Sequence, residues 1–104
     1  MAVASYRKKE GIFRIYYAKF PPGKIFCTPG VLESVPLEEV HAALQRHMSG
    51  DWGDVCPEDA SLNDNALVEG GRLLSAYHTK DGEKFWIITE PDRSATTVLL
   101  PDEY

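Results

Sequence analysis

The residues best suited to chemistry fall in two short stretches. The first is Ser49-Gly50-Asp51-Trp52-Gly53-Asp54, an indole set between two glycines and two carboxylates, with His41 and His47 just upstream. Imidazoles and carboxylates at this spacing are the raw material of a divalent-metal site, and His47, Asp51 and Asp54 would be the ligands of a small metal-dependent hydrolase or nuclease. The spacing matches neither H-E-x-x-H nor an EF-hand loop, and Asn63-Asp64-Asn65 also lacks the calcium pattern, so no metal and no cofactor are expected.

The second stretch holds Ser75, His78, Glu90, Asp92, Arg93 and Ser94. No nucleophile elbow, phosphate-binding loop or dinucleotide-binding glycine motif accompanies them, so no particular reaction is selected. Pairing the strands that carry them sets Arg72 opposite Glu90, in position for a cross-strand ion pair. As an alternative to chemistry, Trp52 in its polar loop has two readings. It either anchors a protein partner, as aromatic residues do at interface hot spots, or folds back over the core while Asp51 and Asp54 cap turns. The second is the commoner outcome for such loops.

Charge is divided along the chain. The first 24 residues carry six basic side chains against Glu10 alone, whereas the remainder carries five basic and fifteen acidic ones. The basic segment interleaves Arg7, Lys8, Lys9, Arg14 and Lys19 with Tyr6, Phe13, Tyr16, Tyr17 and Phe20, a composition able to follow a phosphate backbone and stack bases. The acidic body, rich in Glu33, Glu38, Glu39, Asp51, Asp54, Glu58, Asp59, Asp64 and Glu69, would repel nucleic acid and attract a basic protein groove. A protein partner is therefore expected, with Asp51, Trp52, Asp54, Glu38, Glu39, Glu58 and Asp59 as its contact residues. Direct nucleic-acid binding through the N-terminal segment is the alternative.

These residues need a scaffold. At 104 residues, 43% of them hydrophobic, the chain suits one domain with its own core. Residues 1–10 read as a loose basic tail. Ile12 to Phe20 reads as a strand stopped by Pro21-Pro22-Gly23, and Lys24 to Cys27 as a second short strand. Thr28-Pro29 predicts a helix start, by a threonine N-cap and a proline whose missing N–H costs nothing. Leu37, Val40, Leu44 and Met48 predict one apolar stripe on a helix ended by Gly50. Pro57 to about Glu69 predicts another helix, with Glu58 and Asp59 in its first turn and Gly70-Gly71 at its end.

Arg72–His78 and Lys84–Glu90 flank Asp81-Gly82, which predicts a hairpin closed by a type I′ turn. Pro91 to Ser94 turns the chain into Thr96–Leu100, a candidate free edge that could support a dimer. One sheet face would hold Leu73, Ser75, Tyr77, Phe85, Ile87, Val98 and Leu100. The other would hold Leu74, Ala76, His78, Trp86, Ile88, Thr97 and Leu99. Both are apolar enough to meet the helices. The expected class is α+β: a C-terminal three-stranded antiparallel meander, with the N-terminal strands as candidates to extend it, under two or three short helices.

Cys27 and Cys56 have no metal or redox spacing and read as plain thiols, Cys27 as a small hydrophobe. Without a signal peptide or an apolar run long enough for a membrane span, a cytoplasmic protein is expected.

Several segments also resemble one group of short bacterial proteins carried on plasmids, prophages and other mobile elements. They are Cys27-Thr28-Pro29-Gly30-Val31-Leu32-Glu33, His47-Met48-Ser49-Gly50-Asp51-Trp52-Gly53-Asp54, Asn63-Asp64-Asn65-Ala66-Leu67, Gly71-Arg72-Leu73-Leu74-Ser75-Ala76-Tyr77, Phe85-Trp86-Ile87-Ile88-Thr89-Glu90, Asp92-Arg93-Ser94-Ala95-Thr96-Thr97 and Leu99-Leu100-Pro101-Asp102-Glu103-Tyr104. The resemblance covers about residues 20–104 and leaves out 1–19. Members of that group sometimes bear the label type I restriction enzyme "subunit M", although a chain of this length has no room for a methyltransferase domain. The resemblance implies a neighbourhood of defence genes. With the acidic body, it leads to the expectation of a non-catalytic interaction protein that inhibits a host nucleic-acid-targeting defence system.

Overall fold

A computed structural model describes the backbone of residues 3–9 and 12–104, and side chains from Ala18 onward. Two strands, β1 (Val3–Lys9) and β2 (Ile12–Ala18), form an antiparallel pair in which Val3 is opposite Ala18 and Lys9 opposite Ile12. Val3–Lys9 is thus a strand where the sequence suggested a loose tail. Then follow β3 (Lys24–Cys27), α1 (Pro29–Ser34), α2 (Leu37–Met48), α3 (Pro57–Glu69), β4 (Leu73–His78), β5 (Lys84–Thr89) and β6 (Ala95–Leu99), closed by a 3-10 turn at Pro101–Glu103. The class is α+β, as expected.

The main sheet has four strands in the order β3-β6-β5-β4. The meander β4-β5-β6 is antiparallel, and β3 joins it parallel to β6 with Lys24 beside Ala95 and Cys27 beside Val98. Parallel addition is possible because the three helices separate β3 from the meander and carry the chain back across the sheet. It also places β6 inside the sheet, so the strand expected as a free edge is paired on both sides.

The structure decides between the two sheet faces. Leu73, Ser75, Tyr77, Phe85, Ile87, Thr89, Thr96 and Val98 are all essentially inaccessible. Tyr77, Phe85, Ile87 and Val98 pack with Val31, Val35, Val40 and Ala43 of the helical layer. Fully burying a side chain such as Phe85 or Ile87 is worth about 1.5–3 kcal/mol each, so this layer is a major source of stability. On α2 the buried stripe is Val40, Ala43 and His47, with Leu44 half-buried. Leu37, expected on that stripe, lies in the first turn and is 70% exposed.

Local signals set the element ends. Thr28 caps α1 by accepting from the Val31 N–H, and Pro29 opens the helix. Glu103 then clamps that same end: one carboxylate oxygen accepts from the Thr28 hydroxyl at 2.6 Å and the other from the Gly30 N–H at 3.0 Å. A Cβ on Gly30 would lie 2.7 Å from this carboxylate. The carboxyl is accordingly held below its usual pKa, chiefly by the Thr28 hydrogen bond.

The β4–β5 hairpin departs from the expected two-residue turn. Thr79 N–H donates to the Glu83 carbonyl and Gly82 N–H to the Thr79 carbonyl, both at 2.9 Å. Lys80-Asp81-Gly82 is therefore a three-residue loop in which Gly82 (φ 90°) takes the positive-φ position. Asp81 keeps a negative φ, which a type I′ turn would forbid. The buried Thr79 hydroxyl also accepts from the Glu83 N–H, stabilising the wider loop.

Candidate functional site

The polar centre of the molecule is His47. It belongs to the α2 face turned toward the sheet, seven residues after Val40, and is fully buried. Nδ1 lies 2.6 Å from Ser75 Oγ on β4, and Nε2 lies 2.9 Å from Thr89 Oγ1 on β5. Thr89 Oγ1 is 2.7 Å from Thr96 Oγ1 on β6, and the Thr96 hydroxyl donates to the Pro22 carbonyl at 2.7 Å.

That last acceptor orients the whole chain. A carbonyl can only accept, so Thr96 spends its single proton on Pro22 and must accept from Thr89. Thr89 in turn accepts from His47 Nε2–H, and Ser75 O–H donates to Nδ1. The ring is the neutral Nε2–H tautomer. Burial, and secondarily the nearby Arg93 charge, lowers its pKa to about 3.

Ser75 thus has an imidazole partner, but it is His47 rather than the His78 of the same strand. With Ser75 and His47 both at 0% exposure, no substrate atom reaches the hydroxyl. With Thr89 and Thr96, the pair forms a relay that ties one helix to three strands.

Aromatic rings seal the histidine. Phe20 meets it edge-on at 5.3 Å and Trp52 at 5.7 Å between centroids. Trp52 is 5% exposed, packs with Phe20 and Leu73, and donates its Nε1–H to Asp64 Oδ1 at 2.9 Å. Of its two readings the structure takes the core one, because the ring covers His47 and the sheet end instead of projecting into solvent. The flanking glycines serve that fold-back. Gly53 (φ 73°) passes so close to β4 that a Cβ would lie 2.0 Å from the Ala76 carbonyl.

This segment also covers the outer edge of β4. Ala76 N–H donates to the Trp52 carbonyl at 3.1 Å, and Asp54 N–H donates to the Ala76 carbonyl at 2.7 Å. Two residues away, the Asn63 carboxamide donates to the Leu74 carbonyl and accepts its N–H, at 2.8 and 3.1 Å. The buried Asn63 thereby imitates a neighbouring strand.

The carboxylates of the loop are exposed and paired. Asp51 makes a two-point contact with Arg46 at 2.7 and 3.1 Å, and this hydrogen bonding holds its pKa down and that of Arg46 up. Arg46 also lies 4.7 Å over the Tyr77 ring, whose hydroxyl donates to the Asp51 carbonyl at 2.6 Å. Asp54 accepts from His78 Nδ1 at 2.7 Å. His41 sits on the exposed side of α2 beside Gln45. His47, Asp51 and Asp54 are therefore not convergent. Both His47 nitrogens are occupied inside the core, and among the described residues no group of three or more His, Cys, Asp or Glu is placed to hold a metal.

Glu38, Glu58 and Asp59 are exposed in the first turns of α2 and α3, whereas Glu39 is half-buried and accepts the Lys80 N–H at 3.0 Å. The side chains of Arg7, Lys8, Lys9 and Arg14, and the aromatics interleaved with them up to Tyr17, lie outside the described residues. Cys27 is half-buried against the core and its thiol pKa is raised by burial; Cys56 is exposed, and both are free thiols.

Arg93, grouped by sequence with candidates for catalysis, has a structural task instead. It holds a positive φ of 61°, the one such non-glycine residue among those described. Its guanidinium donates to the Gly71 carbonyl and, at 2.9 Å, to the Ala66 carbonyl at the end of α3, and it lies 5.6 Å over Phe20. Nor does Arg72 form the expected pair with Glu90. The register sets Leu73 opposite Thr89 and so brings the two side by side, but Arg72 stacks at 5.6 Å on Tyr104 and donates to its hydroxyl.

No helix among the described residues is long and apolar enough to cross a membrane. Compared with protein-family models, curated proteins and solved structures, the chain finds no match.

Proposed function

We propose that this chain is a non-catalytic interaction protein of a mobile genetic element, whose acidic helical surface inhibits a host nucleic-acid-targeting defence system in the cytoplasm. The observation that carries the reading is a set of exposed carboxylates without cationic partners among the described residues. Among the described residues Asp51 is ion-paired with Arg46 and Asp54 hydrogen-bonded to His78, whereas on the helices Glu33, Glu38, Glu58, Asp59 and Glu69 are exposed with no salt bridge.

Unpaired carboxylates on rigid helices keep their full field, attract a basic groove and raise the rate of encounter, as phosphates would. The contact set narrows to the exposed Glu38, Glu58 and Asp59, with the hydrogen-bonded Asp51 and Asp54 as secondary members. Trp52 supports the loop from inside. The internal use of Ser75 and His47 is a second support, since the most reactive pairing in the fold is closed to substrate.

The test is a pull-down from host lysate at low and high salt with the tagged chain and a Glu38→Lys, Glu58→Lys, Asp59→Lys triple variant. A nuclease or defence complex retained at low salt and lost with the variant is the expected result. Retention equal for both proteins, or no retained partner at either salt, overturns the reading.

A further inference from the structure

The two edges of the main sheet are finished in opposite ways. On β4, Ala76 is bonded by the Trp52–Asp54 segment and Leu74 by the Asn63 carboxamide, so that edge offers a second strand nothing at these positions. On β3 the outer edge is unpaired among the described residues. Lys24 N–H donates to the Ser94 carbonyl and Thr28 N–H to the Val98 carbonyl, both at 3.0 Å. Alternate residues of a strand bond to the same neighbour, so Lys24, Phe26 and Thr28 face β6 while Ile25 and Cys27 direct their N–H and C=O groups outward. No strand among the described residues pairs with them. Ile25 and Phe26 are 48% and 51% exposed, which is unusual for large apolar side chains on an unprotected edge.

The geometry points to a second copy of this chain as the occupant of that edge, its β3 strand antiparallel to the first and centred on Phe26. In this register Ile25 of one copy bonds to Cys27 of the other in both directions, using every outward group. Phe26 meets Phe26 across the two-fold, on the sheet face that carries no helix. Lys24 comes opposite Thr28, whose hydroxyl is bonded to the Glu103 carboxylate at 2.6 Å.

Lys24, Phe26 and Glu103 share that helix-free face. Phe26 registers with Thr97, and Glu103 lines a shallow concavity there with Thr97, Leu99 and Tyr104. Each end of the contact therefore sets an exposed ammonium beside a carboxylate of the other copy, and the symmetry generates the complement twice. A peptide of other composition would gain the backbone bonds but not this charge match. The contact is small, so the association is a weak, concentration-dependent one at the low end of specific interfaces. It is independent of the acidic helical surface.

Sedimentation equilibrium on the full chain from about 5 to about 500 μM tests it, a range suited to weak dimers. A monomer–dimer equilibrium is expected, weakening as salt rises. Ile25→Pro removes one outward N–H and leaves the β6 ladder intact, because proline is tolerated where an edge N–H faces solvent. Lys24→Glu sets like charges together without touching the core. Each variant is expected to raise the dimer dissociation constant about tenfold or more, with near-UV circular dichroism confirming a native fold. Lys24→Glu decides the matter should Ile25→Pro disturb the strand. A monomer throughout the range, or a dimer indifferent to Lys24→Glu, overturns the proposal.

Discussion

His47 Nδ1 and Ser75 Oγ, 2.6 Å apart and both fully buried, join α2 to β4 at the centre of the fold. Their hydrogen bond is the first of a relay that runs through Thr89 and Thr96 to the Pro22 carbonyl. A neutral relay with every proton assigned stabilises one helix–sheet register, and it also creates a liability to acid.

The folded pKa of His47, lowered to about 3 against 6.5 in the unfolded chain, sets the sign of that liability. Below pH 6.5 the unfolded state binds a proton that the folded state refuses. Stability is then full above pH 6.5 and falls as the pH drops toward 3, by up to about 1.4 kcal/mol per pH unit. Urea unfolding between pH 7 and 5 is expected to show this slope. His47→Gln should be less stable at pH 7 by about 1–3 kcal/mol, through broken relay bonds, and should lose the slope.

Trp52→Ala is expected to destabilise the chain by about 3–5 kcal/mol, the cost of removing a large buried aromatic. Trp52→Phe should cost less, since it keeps most of the ring but abandons the bond to Asp64. Thermal or urea unfolding of the two variants checks the order. A Trp52→Ala protein as stable as the parent would mean that the ring is not core.

Arg93→Lys should destabilise by about 1–3 kcal/mol despite conserving charge. The planar guanidinium serves the Gly71 and Ala66 carbonyls together, and a single ammonium cannot span both. Urea unfolding at neutral pH measures the loss. An unchanged midpoint would assign the α3–β4 junction to other contacts.

What was readable from the chain is what neighbouring residues decide among themselves. Thr28-Pro29 starts a helix, Pro57 starts another, and Gly50 and Gly70 stop theirs, because caps and φ preferences act within a few residues. The meander followed from the turn signals at Asp81-Gly82 and Pro91 to Ser94 between apolar runs, and with the helices it placed the chain in the α+β class. The same reading erred where distant partners compete. Leu37 has the spacing of a stripe residue yet is exposed in the first turn of α2, and Arg72 stands opposite Glu90 but finds Tyr104.

The candidate site was less legible still. His47, Asp51, Trp52 and Asp54 are close in sequence, and proximity suggested a shared task. The sheet face that meets the helices, the burial of Trp52, the role of Arg93 and the position of β3 beside β6 each depend on contacts between residues far apart in the chain. Hydrophobic patterning left both sheet faces eligible. Only packing could choose, because His47 finds Ser75 and Thr89 on one face alone, and a buried imidazole must have its partners.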